Sequence, residues 1–410
     1  MRILVLNQFF PPDLAPTGRM AADLAEDLAA AGHEVTAVAS RGGYLGGARL
    51  PRRERRRGVE VVRLPATTFG KGTLLRRALD YASFLASASL ALAALPRHDV
   101  VVALTTPPLV AAAALPARAL RGSRLVCWVQ DLYPDVAVAF GALRAGSPAA
   151  RAMRAVSRAV LRRADRVVAL GEAMRERCLA AGAAPERTVV LPNWADPEEI
   201  RPAPHARNPL RAALAPGAET LVLYSGNLGR AHDLETPLAA ARLLRDRRDV
   251  AFLFVGDGAR RAEVERAARE LPNVRLEPYR PREELADSLS AGDVHLVTLA
   301  PGLLGLIEPS KAYAAMAAGR PAVYVGPPGS EVARTLLAEG CGVAVPSGDA
   351  EGLARAVAHL ASDPARRAAM GERGRRAVEE RLGRAAATAR FRALLEELAP
   401  PARAAHLRSA

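Results

Sequence analysis

Short apolar runs alternate with longer Ala-rich segments through the first half of the chain. The runs are rich in Val, Leu and Ile and too short for helices, which predicts buried strands. A helix over about residues 18–31, ended by Gly32, separates the first two runs and predicts a βαβ opening. Strands are predicted over residues 3–6, 34–39, 59–63, 100–103, 125–129, 167–170 and 189–191.

The same alternation resumes after a segment that is rich in proline and poor in periodic apolar residues. Strands are predicted there over residues 220–225, 251–255, 274–276, 294–298, 322–325 and 342–345. Strands that alternate with helices form parallel sheets covered on both faces, so the chain is predicted to be α/β with two doubly wound domains and a cleft between them. A length of 410 residues suits two such domains.

The predicted domain boundaries follow the change in composition at the proline-rich segment. The first domain is assigned to residues 1–195, a linker to 196–218 and the second domain to 219–380. Residues 381–410 are predicted to be a C-terminal helix that crosses back onto the first domain.

The charge balance is strongly basic. The formal net charge is +14, from 57 Lys and Arg against 43 Asp and Glu. Nucleic-acid binders share such a balance, but here nearly every cation is an arginine on a helical face and only 4% of residues are aromatic. This pattern favours solvated surfaces. The dense run 49–57 is the exception, and it is interpreted as a site for anionic lipid or as a mobile loop.

Cysteine usage and the apolar segments bear on location. Cys127, Cys178 and Cys341 lie far apart in apolar contexts, which predicts reduced thiols and a cytoplasmic protein. The N-terminal apolar run is too short for a signal peptide. Residues 81–95 are apolar but short for a membrane span, which predicts a buried or interfacial helix.

Two candidate site segments lie in the first predicted domain. Gly18, at the start of the first helix, would let backbone N–H groups approach an anion, or would serve the turn alone. Asp131 and Asp135 follow a predicted strand, at the edge where open α/β sheets bind their ligands. Either carboxylate could orient or deprotonate an acceptor hydroxyl, or cap the next helix.

Two glycine-containing turns follow the first two strands of the second domain. In the first turn, Gly226 and Asn227 precede Arg230, which makes a candidate anion nest with a counter-charge beside it. Gly256 and Gly258 end the next strand and by themselves indicate a turn.

The strongest signal is the sequence IEPSK at residues 307–311, ahead of an Ala-rich helix. Proline after Glu308 sets the turn, Ser310 can cap the helix, and Lys311 lies in its first turn. A lysine at that place opposes the helix dipole unless it holds an anion. Lys311 and Lys71 are the two lysines of the chain, so a compact ammonium at this turn favours phosphate binding.

Six motifs occur in order: NQFFPPDLAPTG, VQDLYPD, VLPNWAD, YSGNLG, FVGDG and PSKAYAAMAAGRP. Together they resemble the retaining glycosyltransferases of family 4, in the branch that builds bacterial capsule, colanic acid and O-antigen repeats and includes N-acetylfucosaminyl-type transferases. The resemblance covers almost the whole chain. It implies the GT-B fold, with two Rossmann-like domains facing a central cleft, and transfer from a nucleotide diphosphate sugar with retention and without a metal or other cofactor.

The resemblance also implies roles for residues. Lys311 and Arg230 would neutralise the leaving diphosphate, and Glu308 would lie near the donor sugar. Backbone amides at Gly18 and around Ser310 would face the phosphates. The candidate catalytic residues are Asp131, Arg230, Glu308 and Lys311, and the candidate donor-binding residues are Gly18, Gly226, Asn227, Gly256, Gly258, Ser310 and Lys311.

Four positions depart from the family pattern. Asn227 replaces an arginine, and His232 stands about where a lysine usually lies. Leu306 and Ala314 occupy the positions of two glutamates that family members carry eight residues apart. These departures indicate either a branch with a displaced site, in which Glu308, Ser310 and Lys311 act and hold more of the donor, or a weakened enzyme. The PSK motif, which recurs in the branch that the chain resembles, favours the displaced site.

The predicted function is transfer of a sugar to a saccharide or lipid-linked saccharide acceptor in cell-surface polysaccharide synthesis. The run 49–57 and the segment 81–95 would contact the inner face of the membrane. Two alternatives are a nucleotide-sugar epimerase of the same fold, which needs no acceptor, and a basic nucleic-acid-binding protein, whose binding would be salt-sensitive. An oxidoreductase is disfavoured because neither half carries a full pyrophosphate fingerprint.

Overall fold

The computed structural model describes residues 1–13, 15–43, 50–70, 73–214, 217 and 219–399. These residues form two compact units. One contains Met1–Leu191 and the described residues from Thr388 onward, and the other contains Pro192–Ala387. Arg49, Lys71, parts of the predicted linker and everything after residue 399 lie outside the described residues.

The first unit is built on an eight-stranded sheet. Its strands are β1 (Arg2–Leu6), β2 (Glu34–Ser40), β3 (Arg53–Arg56), β4 (Val59–Leu64), β5 (Val100–Ala103), β6 (Arg124–Trp128), β7 (Arg166–Ala169) and β8 (Thr188–Val190). Its helices are α1 (Pro16–Ala30), α2 (Leu74–Ala94), α3 (Leu115–Arg121), α4 (Asp135–Ala139), α5 (Pro148–Arg163) and α6 (Glu172–Ala180). The strand order is β3-β4-β2-β1-β5-β6-β7-β8, and all neighbours are parallel except β3 with β4.

The second unit is built on a six-stranded parallel sheet in the order β11-β10-β9-β12-β13-β14. Its strands are β9 (Thr220–Ser225), β10 (Val250–Val255), β11 (Val274–Glu277), β12 (Val294–Thr298), β13 (Ala322–Val325) and β14 (Gly342–Val345). Its helices are α7 (Arg211–Leu214), α8 (Glu235–Leu243), α9 (Arg261–Glu270), α10 (Leu285–Ser290), α11 (Lys311–Ala317), α12 (Glu331–Ala338), α13 (Ala350–Ser362) and α14 (Pro364–Ala377). A π-helical turn, Val378–Leu382, leads into α15 (Arg384–Glu396).

Every strand predicted from the apolar runs is present, with each end within one residue of its predicted place. The central strands are buried along their whole length, as in β5 and β10. Burial on both faces is what a parallel sheet between two helical layers requires, and it removes polar alternation from the sequence. The predicted α/β class with two doubly wound sheets is confirmed.

The basic run contains a strand that the sequence did not predict. Residues Arg53–Arg56 pair antiparallel with β4 at the edge of the sheet, so the interpretation of these residues as a mobile loop is wrong. The strand has no apolar residue and therefore no hydrophobic period. Part of the positive charge of the basic run is neutralised, because Arg56 and Arg57 lie 3.3 and 3.1 Å from the carboxylate of Glu26.

Helix α2 contains the predicted apolar segment and begins earlier, at Leu74. Phe84, Ala88 and Leu92 are buried at intervals of four residues, so one face of the helix packs against the unit. Across the described residues, no helix combines the length and the apolar character needed to cross a bilayer.

The last helix, α15, carries the chain into the first unit, to which residues from Thr388 onward belong. The Phe391 ring packs on Trp128 with centroids 4.7 Å apart. The Thr388 hydroxyl donates to Asp27 Oδ2 at 2.9 Å. These contacts fix the helix beside the end of β6, next to one of the predicted site segments.

Candidate active site

The strand order of the second unit identifies one edge of its sheet as a binding place. Counted within the unit, the order is 3-2-1-4-5-6, that of Rossmann folds, whose ligands bind at the carboxyl ends where the two halves diverge. That point lies between β9 and β12. The loops after Ser225 and Thr298, the last residues of these strands, therefore form the candidate site.

Lys311 reaches this edge from the first turn of α11. Its Nζ lies 3.0 Å from His232 Nε2, and His232 Nδ1 lies 2.8 Å from the carbonyl oxygen of Thr298. Because a carbonyl only accepts, Nδ1 carries the proton, and the Nε2 lone pair accepts from the Lys311 ammonium. Burial and the nearby Lys311 lower the pKa of His232 to about 3, so the ring is neutral near pH 7. His232 thus holds Lys311 without cancelling its charge.

The Lys311 side chain has no carboxylate partner among the described residues. Its Nζ lies 5.1 Å from the centroid of the Tyr224 ring, within the range of a cation–π contact. Burial lowers the pKa of Lys311 to about 7, although the residue remains partly exposed. An anion that reached this amine would restore the charged form and would be bound by it.

Three glycines shape the loops after β9 and β10. A Cβ at Gly226 would come within 2.5 Å of Lys311 Cε, so this position must be bare for the lysine to lie there. A Cβ at Gly256 would overlap the carbonyl oxygen of Gly226, and one at Gly258 would lie 2.5 Å from that of Leu228. Their φ angles are +135°, +147° and +157°, which L side chains rarely adopt.

Arg260, which the sequence did not single out, braces the same loop. Its Nη1 donates to the carbonyl of His232 at 2.8 Å, and its backbone N–H donates to that of Leu228 at 2.9 Å. Its guanidinium also pairs with Glu263 at 2.6 Å and with Glu235 at 3.3 Å. With its charge matched in this way, Arg260 positions the loop.

Glu308 lies three residues before Lys311 in the same turn and is buried. Its Oε1 accepts from the backbone N–H of Glu331, the first residue of α12, at 3.4 Å. Its Oε2 finds no hydrogen-bond partner among the described residues. Burial raises the pKa of Glu308 to about 7, so the carboxyl group changes its protonation state near neutral pH.

Ser310 occupies the N-cap position of α11 but does not cap it. Its side chain makes no cap hydrogen bond, so the predicted capping is wrong. A capping side chain needs an extended backbone, whereas Ser310 has helical angles of −74° and −10°. Asn227 and Arg230 are exposed in the same loop as His232, and the Asn227 carbonyl accepts from the Tyr224 hydroxyl at 2.7 Å.

The other predicted residues lie in the first unit. Gly18 is the third residue of α1, where a Cβ would come 3.0 Å from the carbonyl carbon of Phe9, so the site is tightly packed. Asp131 follows β6 and lines a cavity of about 30 Å³. Its backbone N–H donates to Thr105 Oγ1 at 3.0 Å, and burial raises the pKa of its side chain to about 6. Asp135 begins α4 and pairs with Arg154 at 3.0 Å.

Thr298 was missed by sequence reasoning, although a signal for it existed. It ends the fourth strand of the second domain, which the apolar run 294–298 predicted. The Rossmann strand order places the ends of the first and fourth strands side by side. Among the described residues, no group of three or more His, Cys, Asp and Glu side chains is placed to hold a metal ion.

Comparison with known proteins identifies the family of the chain. The model of the glycosyl transferase 4-like domain matches residues 17–194, and that of glycosyl transferases group 1 matches residues 219–363. The glycosyltransferase WbjE of Pseudomonas aeruginosa is 34% identical over 292 residues, which cover 70% of this chain and 72% of WbjE. The chain therefore belongs to the family of glycosyltransferases that combine a glycosyl transferase 4-like domain with a group 1 domain. The colanic acid biosynthesis glycosyl transferase WcaI of Escherichia coli is 30% identical over 338 residues, or 79% of this chain and 83% of WcaI.

Solved structures of similar fold cover nearly the whole chain. Sucrose-phosphate synthase from Thermosynechococcus elongatus has a TM-score of 0.76 at 20% identity, with 97% of this chain and 99% of that protein covered. HepE of Anabaena, solved with UDP, has a TM-score of 0.71 at 17% identity, with 97% and 100% covered. The glycosyltransferase thus has the GT-B fold that the motifs predicted. The family models and the relatives WbjE and WcaI do not favour the epimerase alternative.

Proposed function

We propose that this glycosyltransferase moves a sugar from a nucleoside diphosphate sugar to a saccharide or lipid-linked saccharide acceptor in cell-surface polysaccharide synthesis. The transfer proceeds with retention at the anomeric carbon and without a metal ion. The observation that carries the proposal is Lys311, held by neutral His232 at the switch point of the sheet and lacking a carboxylate partner among the described residues. WcaI, a relative, is named for colanic acid biosynthesis, and HepE has been solved with UDP-glucose.

In this proposal Lys311 binds the diphosphate and stabilises the charge that grows on it as the glycosidic bond breaks. The partly exposed turn at Gly226 and the exposed side chains of Asn227 and Arg230 supply further contacts to the donor. The cationic side chains of Lys311 and Arg230 neutralise the diphosphate, which is the role of a bound metal ion in other transferases. Gly256 and Gly258 keep the donor loop in shape, and the backbone amides around Ser310 face the phosphates.

Two carboxyl groups are assigned to the sugars. Glu308 offers the unpartnered Oε2 to a hydroxyl of the donor sugar. Asp131, whose pKa lies at about 6, orients the acceptor hydroxyl that forms the new bond to the anomeric carbon. The leaving nucleoside diphosphate takes the electron pair of the broken bond, and the proton of the acceptor hydroxyl passes to the Asp131 carboxylate.

The function is tested with the full chain in two steps. A thermal-shift screen over nucleoside diphosphates and their sugars selects the donor, because a ligand of the folded state raises the unfolding temperature. The selected donor is then incubated with a polyprenyl diphosphate sugar. Release of nucleoside diphosphate that requires the acceptor supports the proposal. A new sugar nucleotide formed from donor alone would indicate an epimerase, and an absence of any product would contradict transfer.

Donor affinity is expected to fall as pH rises through 7. The pKa of Lys311 is about 7, so the ammonium is complete below that pH and is lost above it. A diphosphate prefers the charged form, so affinity should drop by up to about tenfold per pH unit above 7. His232, with a pKa of about 3, stays neutral throughout this range. Titration calorimetry with a nucleoside diphosphate sugar between pH 6 and 9 measures the profile, which should be flat in Lys311→Met.

We also propose that the first unit contacts the inner face of the membrane. Leu75 and Leu79 expose 71% and 48% of their surface at the start of α2, and the exposed Arg76 and Arg77 lie between them. Exposed leucines beside arginines match the acyl chains and anionic headgroups of a bilayer surface.

The double substitution Leu75→Glu and Leu79→Glu is expected to reduce cosedimentation with phosphatidylglycerol vesicles severalfold. It removes apolar contacts and adds repulsion from the anionic headgroups. Leu243→Glu, at a leucine that is 55% exposed in the second unit, serves as the matched control. Equal vesicle binding by both variants would exclude this surface.

A further inference from the structure

A second cavity, of about 200 Å³, lies within the first unit between α5, α6 and the segment after β6. Among the described residues, three arginines line it, Arg154, Arg158 and Arg177, together with one carboxylate, Asp135. No role in donor binding or in catalysis has been given to any of these arginines. The cavity is large enough for a group of several heavy atoms, and its wall is predominantly cationic.

Among the described residues, the carboxylate of the wall pairs with one of the arginines, and a second arginine has no partner. The Asp135 carboxylate pairs with Arg154 at 3.0 Å, and Arg154 also donates to the carbonyl of Ala145 at 2.7 Å. The side chain of Arg158 makes neither a hydrogen bond nor an ion pair with any described residue. Guanidinium groups bind phosphate oxygens through paired N–H donors, which makes such a wall suited to a phosphate.

The cavity adjoins the one that Asp131 lines. Leu132, Tyr133 and Ser157 line both, so the two spaces share a wall made by the segment after β6 and by α5. An anion held by the arginines would therefore lie next to the carboxyl group assigned to the acceptor.

We propose that this cavity binds the phosphate or diphosphate group of a phosphorylated acceptor. The proposal rests on the proposed function, because it takes Asp131 as the acceptor side of the reaction. Arg158 and Arg177 bind the phosphate oxygens, and Asp135 limits the positive charge that would otherwise trap the product. Acceptors that lack a phosphate would then be used poorly, whatever sugar they carry.

The first experiment uses inorganic pyrophosphate as the probe. In Lys311→Met, where the donor site no longer competes, calorimetry should find one remaining pyrophosphate site. Adding Arg158→Gln and Arg177→Gln should weaken that site at least about tenfold, since charge-assisted hydrogen bonds are lost. Arg151→Gln, an exposed position on the same helix that does not line the cavity, should leave it unchanged. Equal affinity in all these variants would overturn the proposal.

Asp135→Asn gives a result that a purely structural role would not. Loss of Asp135, the one carboxylate among the described residues that line the cavity, should tighten pyrophosphate binding severalfold, since Arg154 is released and repulsion is removed. Unchanged or weaker binding in a variant that unfolds at the wild-type temperature would contradict an electrostatic site.

Two further experiments show whether the bound phosphate belongs to the acceptor or to a lipid headgroup. They also distinguish failure of this proposal from failure of the proposed function. A short-chain polyprenyl diphosphate sugar should show a raised KM in Arg158→Gln with Arg177→Gln and little change in kcat, while phosphatidylglycerol vesicles should bind the variant and the wild type equally. Weaker vesicle binding by the variant would instead assign the cavity to lipid headgroups and overturn the acceptor proposal. Failure of the proposed function would appear as absent donor turnover in the wild type, with pyrophosphate binding to the cavity intact.

Discussion

Replacement of Lys311 by methionine is expected to lower kcat/KM for transfer by about 10²–10³-fold, the usual cost of removing one donor that stabilises developing negative charge. Methionine keeps the length and apolar packing of the side chain against Gly226 and Tyr224, while the ammonium is lost. Affinity for the nucleoside diphosphate should fall as well, because the leaving diphosphate of the transition state resembles the bound product. Initial rates and calorimetric titration of the same samples measure both effects.

Arg245→Met is the matched control for this substitution. It removes one cation from the surface of the second unit, where the Arg245 side chain is 62% exposed and lies 3.8 Å from Asp246. The control should change neither rate nor affinity, since exposed pairs contribute little. If Lys311→Met binds the nucleoside diphosphate as tightly as the control does, Lys311 does not lie in the donor site.

His232 shows why the donor site could be only partly predicted from the sequence. Lysine scarcity and the turn 307–311 pointed to Lys311, and the glycines of the loops after β9 and β10 were visible as turns. The tautomer of His232 was not visible, because it depends on the carbonyl of Thr298, which lies 66 residues away at the end of β12. That single contact fixes the tautomer, so His232, at a position where the family resemblance implies a lysine, accepts a hydrogen bond from Lys311.

The two mistaken expectations have equally local causes. Strand β3 has an arginine-rich sequence without an apolar face, and it forms because the edge of β4 offers unpaired backbone groups to an adjacent segment. Ser310 has a residue type that caps helices, but its helical backbone angles keep the hydroxyl away from the amides of α11. Apolar patterns therefore predicted the buried strands well, whereas pairing at an edge and the backbone of a turn depend on contacts that the pattern does not contain.

Asp135 is a case in which the sequence left two roles open. It could have acted on an acceptor hydroxyl or capped a helix, and the structure instead ties its carboxylate to Arg154. Asp131, four residues earlier, lies in a less polar place where burial raises its pKa to about 6. The contrast in surroundings separates two carboxylates that look equivalent in the motif, and it supports a separate role for each of them.

Gly256→Ala is expected to destabilise the second unit strongly. The new Cβ would overlap the carbonyl oxygen of Gly226, a backbone atom that cannot rotate away, and would require a φ of +147° from an L residue. Positive φ costs about 1–2 kcal/mol, and the overlap adds about 1–3 kcal/mol. Gly302→Ala is the matched control, since φ is +82° there and a Cβ would have nothing within 4 Å.

Differential scanning calorimetry distinguishes the cost of the Cβ overlap from the cost of the positive φ. The transition that a nucleoside diphosphate shifts upward belongs to the second unit, since a ligand stabilises what it binds. Each kcal/mol should lower its midpoint by about 2–4 °C in a unit of this size. The midpoint should therefore fall further in Gly256→Ala than in Gly302→Ala, and donor affinity should fall only in the former. Equal shifts would mean that the carbonyl of Gly226 does not lie against Gly256. The close contact of Gly226 with Lys311 would then be contradicted as well.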